Sequence, residues 1–190
     1  MKSWGKKKNY KRKVLKIKWF MKKFFILLLS CLILTGCSLR QNTSKKSYNL
    51  NGYGKYSIPN NYLLRRDHST STKYFFVNKK DRTSSRPNNI SVEGGINRYS
   101  KENHMQFRQA IQSQIYMQSK TLNATVNGSG ITSKNGYNVY KFIVKGSETT
   151  IQYYIVGDYK YMLIHETIFD DNVSEVDNAA KYIVDSFIWE

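Results

Sequence analysis

The chain has 190 residues, with 31 Lys and Arg against 13 Asp and Glu, a formal net charge of +18 and only two cysteines. That charge points toward nucleic acid, but eleven of the basic residues fall within residues 1–23, where no acid occurs. Beyond residue 36 the count is 20 against 13, a balance that governs solubility, so nucleic acid is excluded as a partner.

After the basic start, Phe24 to Leu34 is an apolar core. It is shorter than the roughly 20 residues of a membrane span and fits the roughly 7–15 of a signal-peptide core. It ends in Leu34-Thr35-Gly36-Cys37. Basic region, apolar core and box in this order resemble the lipobox of bacterial lipoproteins. The resemblance implies a signal peptide over residues 1–36, a covalent diacylglycerol on Cys37, and no other cofactor. It implies a palmitate-type lipid anchor in the cell membrane on its extracytoplasmic side, since two acyl chains give the stable anchoring that one does not. Cys31 is a poorer box, because it would leave only Phe24 to Ser30 as the apolar core. Met21-Lys22-Lys23-Phe24 is itself a complete lipoprotein start, so Met21 is the expected initiator.

Residues 37–51 are polar and aperiodic and predict a lipidated tether, on the order of 20 Å long as a flexible coil. The remainder, 52–190, predicts one domain. Tyr53 to Pro59, Lys73 to Asn78 and Asn88 to Asn97 read as strands, with Gly94-Gly95 marking a bulge or bend. Ser100 is placed to cap a helix reaching about Lys120, whose apolar face is Phe107, Ala110, Ile111 and Ile115. Gly128-Ser129-Gly130 reads as a bend. Turns at Asn135-Gly136, Gly146-Ser147 and Gly157-Asp158 then join four strands into an antiparallel meander. Its last two strands are apolar on both alternating faces and belong in the middle of the sheet. Ser174 to Asp177 has the form of a capping box opening a final helix, with Val176, Ala180, Ile183, Val184 and Phe187 as its stripe. Trp189 then plugs the edge of the core.

This order of elements predicts an α+β domain: a central antiparallel β-sheet with the mid-chain and C-terminal helices packed on it. "YSIPNNY", the helix after "INRYS", the central hairpins and the closing "IVDSFIW" resemble PsbP-like domains of the Mog/PsbP superfamily. That resemblance implies a binding or accessory role in place of catalysis.

Residue chemistry agrees with such a role. His68, His104 and His165 share no metal-ligand spacing, no nucleophile elbow or phosphate-binding loop occurs, and His165 and Glu166 point to opposite sides of their strand. His165 itself is expected to be a satisfied sheet residue. A hydrolase would need His165, Asp158 and a serine to converge. The acids from Asp170 to Asp177 suit a helix N-terminus better than a cation site. The chain is therefore expected not to be an enzyme.

Charge is uneven, with +10 from Arg40 to Arg108 and −3 from Gln109 onward. Arg65, Arg66, Lys79, Lys80, Arg82 and Arg86 form the expected binding surface, with Tyr153 and Tyr154 as aromatic contributors. The expected function is that of a non-catalytic, membrane-anchored surface lipoprotein that binds a protein or an anionic envelope component, a protective or immunity-type role being one form. The alternative is a small-molecule carrier or sensor with a tyrosine-lined pocket between sheet and helix.

Overall fold

A computed structural model describes residues 44–190. The signal segment, the box at Cys37 and the first part of the expected tether lie outside the described residues.

The last part of that tether is a correction. Lys45–Leu50 forms strand β1 and pairs antiparallel with β2 (Gly54–Pro59). Its polar residues concealed a strand because one side of β1 faces solvent, while Leu50 is fully buried. The C-terminal strand β10 (Ile188–Trp189) joins the other edge of β2, completing a three-stranded sheet in the order β1-β2-β10.

The main sheet has seven antiparallel strands in the order β3-β4-β5-β9-β8-β7-β6. They are β3 (Tyr62–Leu64), β4 (Lys73–Asn78), β5 (Asn89–Ile96), β6 (Thr125–Thr132), β7 (Asn138–Lys145), β8 (Thr149–Val156) and β9 (Lys160–Ile168). The meander β6-β7-β8-β9 is as expected, and β8 and β9 lie inside the sheet, where both faces are covered. Helix α1 (His104–Thr121) covers one face and α2 (Val173–Ser186) the other. Period-two alternation decides which residues meet which helix. Ile151, Tyr153 and Ile155 of β8 and Met162 and Ile164 of β9 pack under α2 with Val176, Ala180, Ile183, Val184 and Phe187. Tyr140, Phe142, Tyr154 and Val156 pack under α1 with Phe107 and Ile115. Trp189 closes the edge of the α2 side, its ring 4.7 Å from that of Phe187.

Several local expectations are corrected. Gly94-Gly95 makes no bulge: both pair in register, with Met162 and Tyr161. A Cβ at either would strike the rings of Tyr53 or Tyr161, so the glycines admit those rings. Gly128-Ser129-Gly130 is not a bend but the middle of β6. The hairpin at Asn135-Gly136 is longer than two residues, because Ser133 and Tyr137 still pair and Gly136 alone adopts positive φ, at 80°. That frees the Asn135 amide to donate to the Phe187 carbonyl at 2.7 Å, tying the hairpin to the end of α2. Ser100 leads into a 3₁₀ turn and makes no side-chain cap, and Ala110 is exposed. Ser174 caps nothing, since α2 starts at Val173. Asp177 turns to the sheet instead.

Candidate functional site

The six basic residues divide into two sets at opposite ends of β4. Tyr62 pairs with Asn78 and Leu64 with Phe76, so Arg65 and Arg66 follow β3 toward the start of β4, Arg65 still donating to the Phe75 carbonyl, while Lys79 to Arg86 follow its end. At the first end Arg65 is held by Asp67, with guanidinium–carboxylate contacts of 3.0 and 2.7 Å. Arg66 is exposed.

At the other end the loop lies beside the start of α2. Asn78 donates to the Glu175 carboxylate at 2.9 Å, and Lys80 pairs with the same carboxylate. Arg86 lies 4.4 Å over the Phe169 ring and 3.4 Å from Glu148. Among the described residues, Lys79 and Arg82 are exposed and have no acidic partner within 4 Å. The basic surface is thus a loop with two tied and two untied cations, not one continuous patch.

Tyr153 and Tyr154 do not belong to it. They are 0% and 7% exposed and, as neighbours on β8, point to opposite sides of the sheet. Tyr153 packs under α2 and donates to Asp177, and Tyr154 packs under α1 and donates to Gln152 at 2.8 Å. On the α1 side the rings of Tyr154, Phe107 and Tyr161 pack together in the sheet–helix space where the alternative reading placed a pocket.

The most perturbed carboxyl is that of Glu166. It lies on β9, is wholly buried, pairs across the sheet with Ile90 and Ile151, and finds no donor for either carboxyl oxygen among the described residues. Burial, reinforced by the charge of Asp177, pushes its pKa up to about 9, so it is a neutral acid at pH 7. The signal was present: Met162, Ile164, Glu166 and Ile168 share one parity, and three of the four are core residues.

Asp177 on α2 is the charged counterpart. Burial pushes its carboxyl up, but hydrogen bonds from Tyr153, Lys141 and Lys181 outweigh this and hold it below its ordinary value. Lys141 Nζ stands 2.9 Å from Asp177 Oδ1 and Lys181 Nζ 2.9 Å from Oδ2. Acids with pKa values driven apart are what acid–base catalysis uses. A catalytic acid must also reach a substrate, and Glu166 is sealed under α2.

His165 is a further correction. It faces the α1 side of the sheet, half-buried, and its Nε2 has no partner among the described residues. Burial, with help from Lys73, lowers its pKa and keeps the ring neutral. Asp158 accepts from the Lys101 amide at 3.3 Å in the turn before β9. From Lys160 to His165 is five strand residues, roughly 16 Å, so the two do not converge. Asp170 accepts from Asn88 at 2.6 Å and from the backbone and side chain of Asn172 at 2.9 Å, closing its own turn. Among the described residues no His, Cys, Asp and Glu side chains gather into a metal shell, and no helix is long and apolar enough to cross a membrane.

An open groove of about 340 Å³ lies on the small sheet, lined by Ser47, Asn49, Lys55, Ser57, Ser186 and Ile188 among others. Ser186 is committed to the backbone of Ser57 at 3.0 Å, and Ser47 to the Ser57 hydroxyl at 3.1 Å.

No protein-family model and no curated protein matches the chain. Among solved structures, it is similar to cyanobacterial PsbP (CyanoP) from Synechocystis sp. PCC 6803. That comparison gives 14% identity and a TM-score of 0.52 over 83% of this chain and 99% of the other. The Saccharomyces cerevisiae Ran-binding protein Mog1p aligns at 12% identity with a TM-score of 0.48, over 77% and 95% respectively. At such identities the likeness is one of fold, and the PsbP-like α+β architecture expected from the sequence is the one this chain adopts.

Proposed function

We propose that the chain is a lipoprotein anchored through diacylglycerol on Cys37, facing away from the cytoplasm. Its domain is a non-catalytic binding module, and the Lys79–Arg86 loop engages an acidic protein surface or another anionic component of the envelope. One observation carries this reading. The strongly perturbed acid, Glu166, is shut inside the sheet, whereas exposed cations stand on a loop with Lys79 and Arg82 free to bind. Buried groups of this kind stabilise or destabilise a fold, but they touch no ligand. Exposed cations steer and hold an anionic partner, in a manner that salt weakens.

Two arms test the proposal separately. Cells grown on labelled fatty acid should transfer label to the wild-type chain and not to Cys37→Ser, and the variant should leave the membrane fraction. Label and membrane fractionation that both survive the substitution overturn the anchor. A partner retained from solubilised membranes by the tagged chain should be lost in the Lys79→Glu, Arg82→Glu double variant and on raising salt. Retention indifferent to both removes the loop from the interface.

A further inference from the structure

Among the described residues the two sheets end in four unpaired edges, and three carry recognised protection. β3 is three residues long and β10 two, and β1 opens with Lys45 and Lys46. Short strands and edge lysines are the usual means of preventing strand addition. β6 has neither. It is eight residues long, pairs with β7 without a bulge from Thr125↔Lys145 to Thr132↔Asn138, and contains no proline and no charge. Seven of its eight residues are exposed, and among the described residues nothing pairs with its outer edge.

The neutrality extends past the strand. Between Arg108 and Lys134 the only charged residue is Lys120, so β6 forms an uncharged border; of the lysines paired to it on β7, Lys141 is neutralised by Asp177 and Lys145 stands at the strand's end opposite Thr125. Residues 44–190 carry 19 Lys and Arg against 13 Asp and Glu, so two copies repel over much of their remaining surface. Along this border they do not. Tyr116, Met117, Leu122 and Ile131, 42%, 74%, 70% and 41% exposed, lie on the same stretch and supply apolar area. An acidic partner gains nothing from such a border, whereas a second positively charged copy finds here a place of approach with little repulsion, Lys134 and Lys145 standing only at its ends.

Gly128 keeps the border flat. A Cβ there would come within 2.9 Å of the Phe142 ring, which occupies the α1 side of β6 where a side chain would stand.

We propose that the outer edge of β6 pairs antiparallel with the β6 of a second copy, joining two seven-stranded sheets about a two-fold axis. Each strand presents the same residues, so the interface is self-complementary. Cross-strand partners must share a face, which centres the pairing on a residue. Centring on Ser129 sets Gly128 opposite Gly130, Asn127 opposite Ile131 and Val126 opposite Thr132, engaging nearly the whole strand. This proposal is independent of the anchor and of the basic loop.

Sedimentation equilibrium of the full chain in density-matched detergent tests it. The wild type should show a concentration-dependent two-chain species. Ser129→Lys sets two like charges at the axis and should weaken association at least tenfold, with unchanged far-UV circular dichroism showing that it folds. Ser71→Lys, an exposed change near the start of β4, should leave association as in the wild type. Ser129→Cys should form a covalent dimer under mild oxidation, beyond any background from Cys31 and Cys37, since opposed strand residues lie about 4.5–5.5 Å apart, within disulfide reach. A single-chain mass up to hundreds of micromolar overturns the proposal. So does a dimer equally tolerant of both lysines, or one that Ser129→Cys does not cross-link.

Discussion

The two helices lie on opposite faces of one sheet and are held very differently. α2 buries Val176, Ala179, Ala180, Ile183 and Val184 out of 14 residues, while α1 buries Phe107, Ile115 and Ser119 out of 18. Under α2 a thick aliphatic and aromatic core joins both sheets and closes over Glu166 and the Asp177–Lys141 pair. Under α1 lies a single layer of rings, with Phe107 against Tyr154 at 6.0 Å and Tyr161 at 5.5 Å. The α2 face is where the fold is stabilised. Among the described residues, the α1 face leaves long stretches of helix and strand exposed.

This contrast can be broken by experiment. The largest expected effect is on the α2 side: Ile183→Ala, at a fully buried position, should cost about 3–4 kcal/mol in denaturant unfolding, against about 1 kcal/mol for the half-buried Ile111→Ala under α1. Equal costs would mean that both faces stabilise the fold alike.

The second effect concerns the buried acid. Glu166 has a folded pKa of about 9 against an ordinary value of 4.5. Between those values the folded state keeps a proton that the unfolded state has lost, so stability falls as pH rises through that window. Glu166→Gln should leave stability near pH 4 little changed, and at pH 7 should raise it by on the order of 3 kcal/mol relative to wild type. Asp177 contributes with the opposite sign, its stabilisation being lost as pH falls toward its lowered pKa. A wild type with a flat profile from pH 5 to 9 would show that Glu166 is ionised in the fold.

The smallest effect is expected on the exposed side of α1. Met117→Gln, at a position 74% exposed, should change monomer stability by less than about 0.5 kcal/mol. A larger loss would show that this face is covered within the single chain.

The residues by themselves determined the strands of the meander, both helices, the central place of β8 and β9 and the α+β class. Each of these is a local period or a turn residue acting over a few positions, and such signals survive without knowledge of the neighbours. Only the tertiary structure decided the role of β1, whose polar residues read as tether until β2 paired with them. It alone showed why Gly94 and Gly128 are glycine, since the rings that need the space come from elsewhere in the chain. The same holds for Tyr153 and Tyr154, expected at a surface and found buried under different helices, and for Glu166, whose inward parity was visible but whose environment was not. Burial, charge pairing and free strand edges depend on which segments meet, and that is settled by packing between residues far apart in the chain.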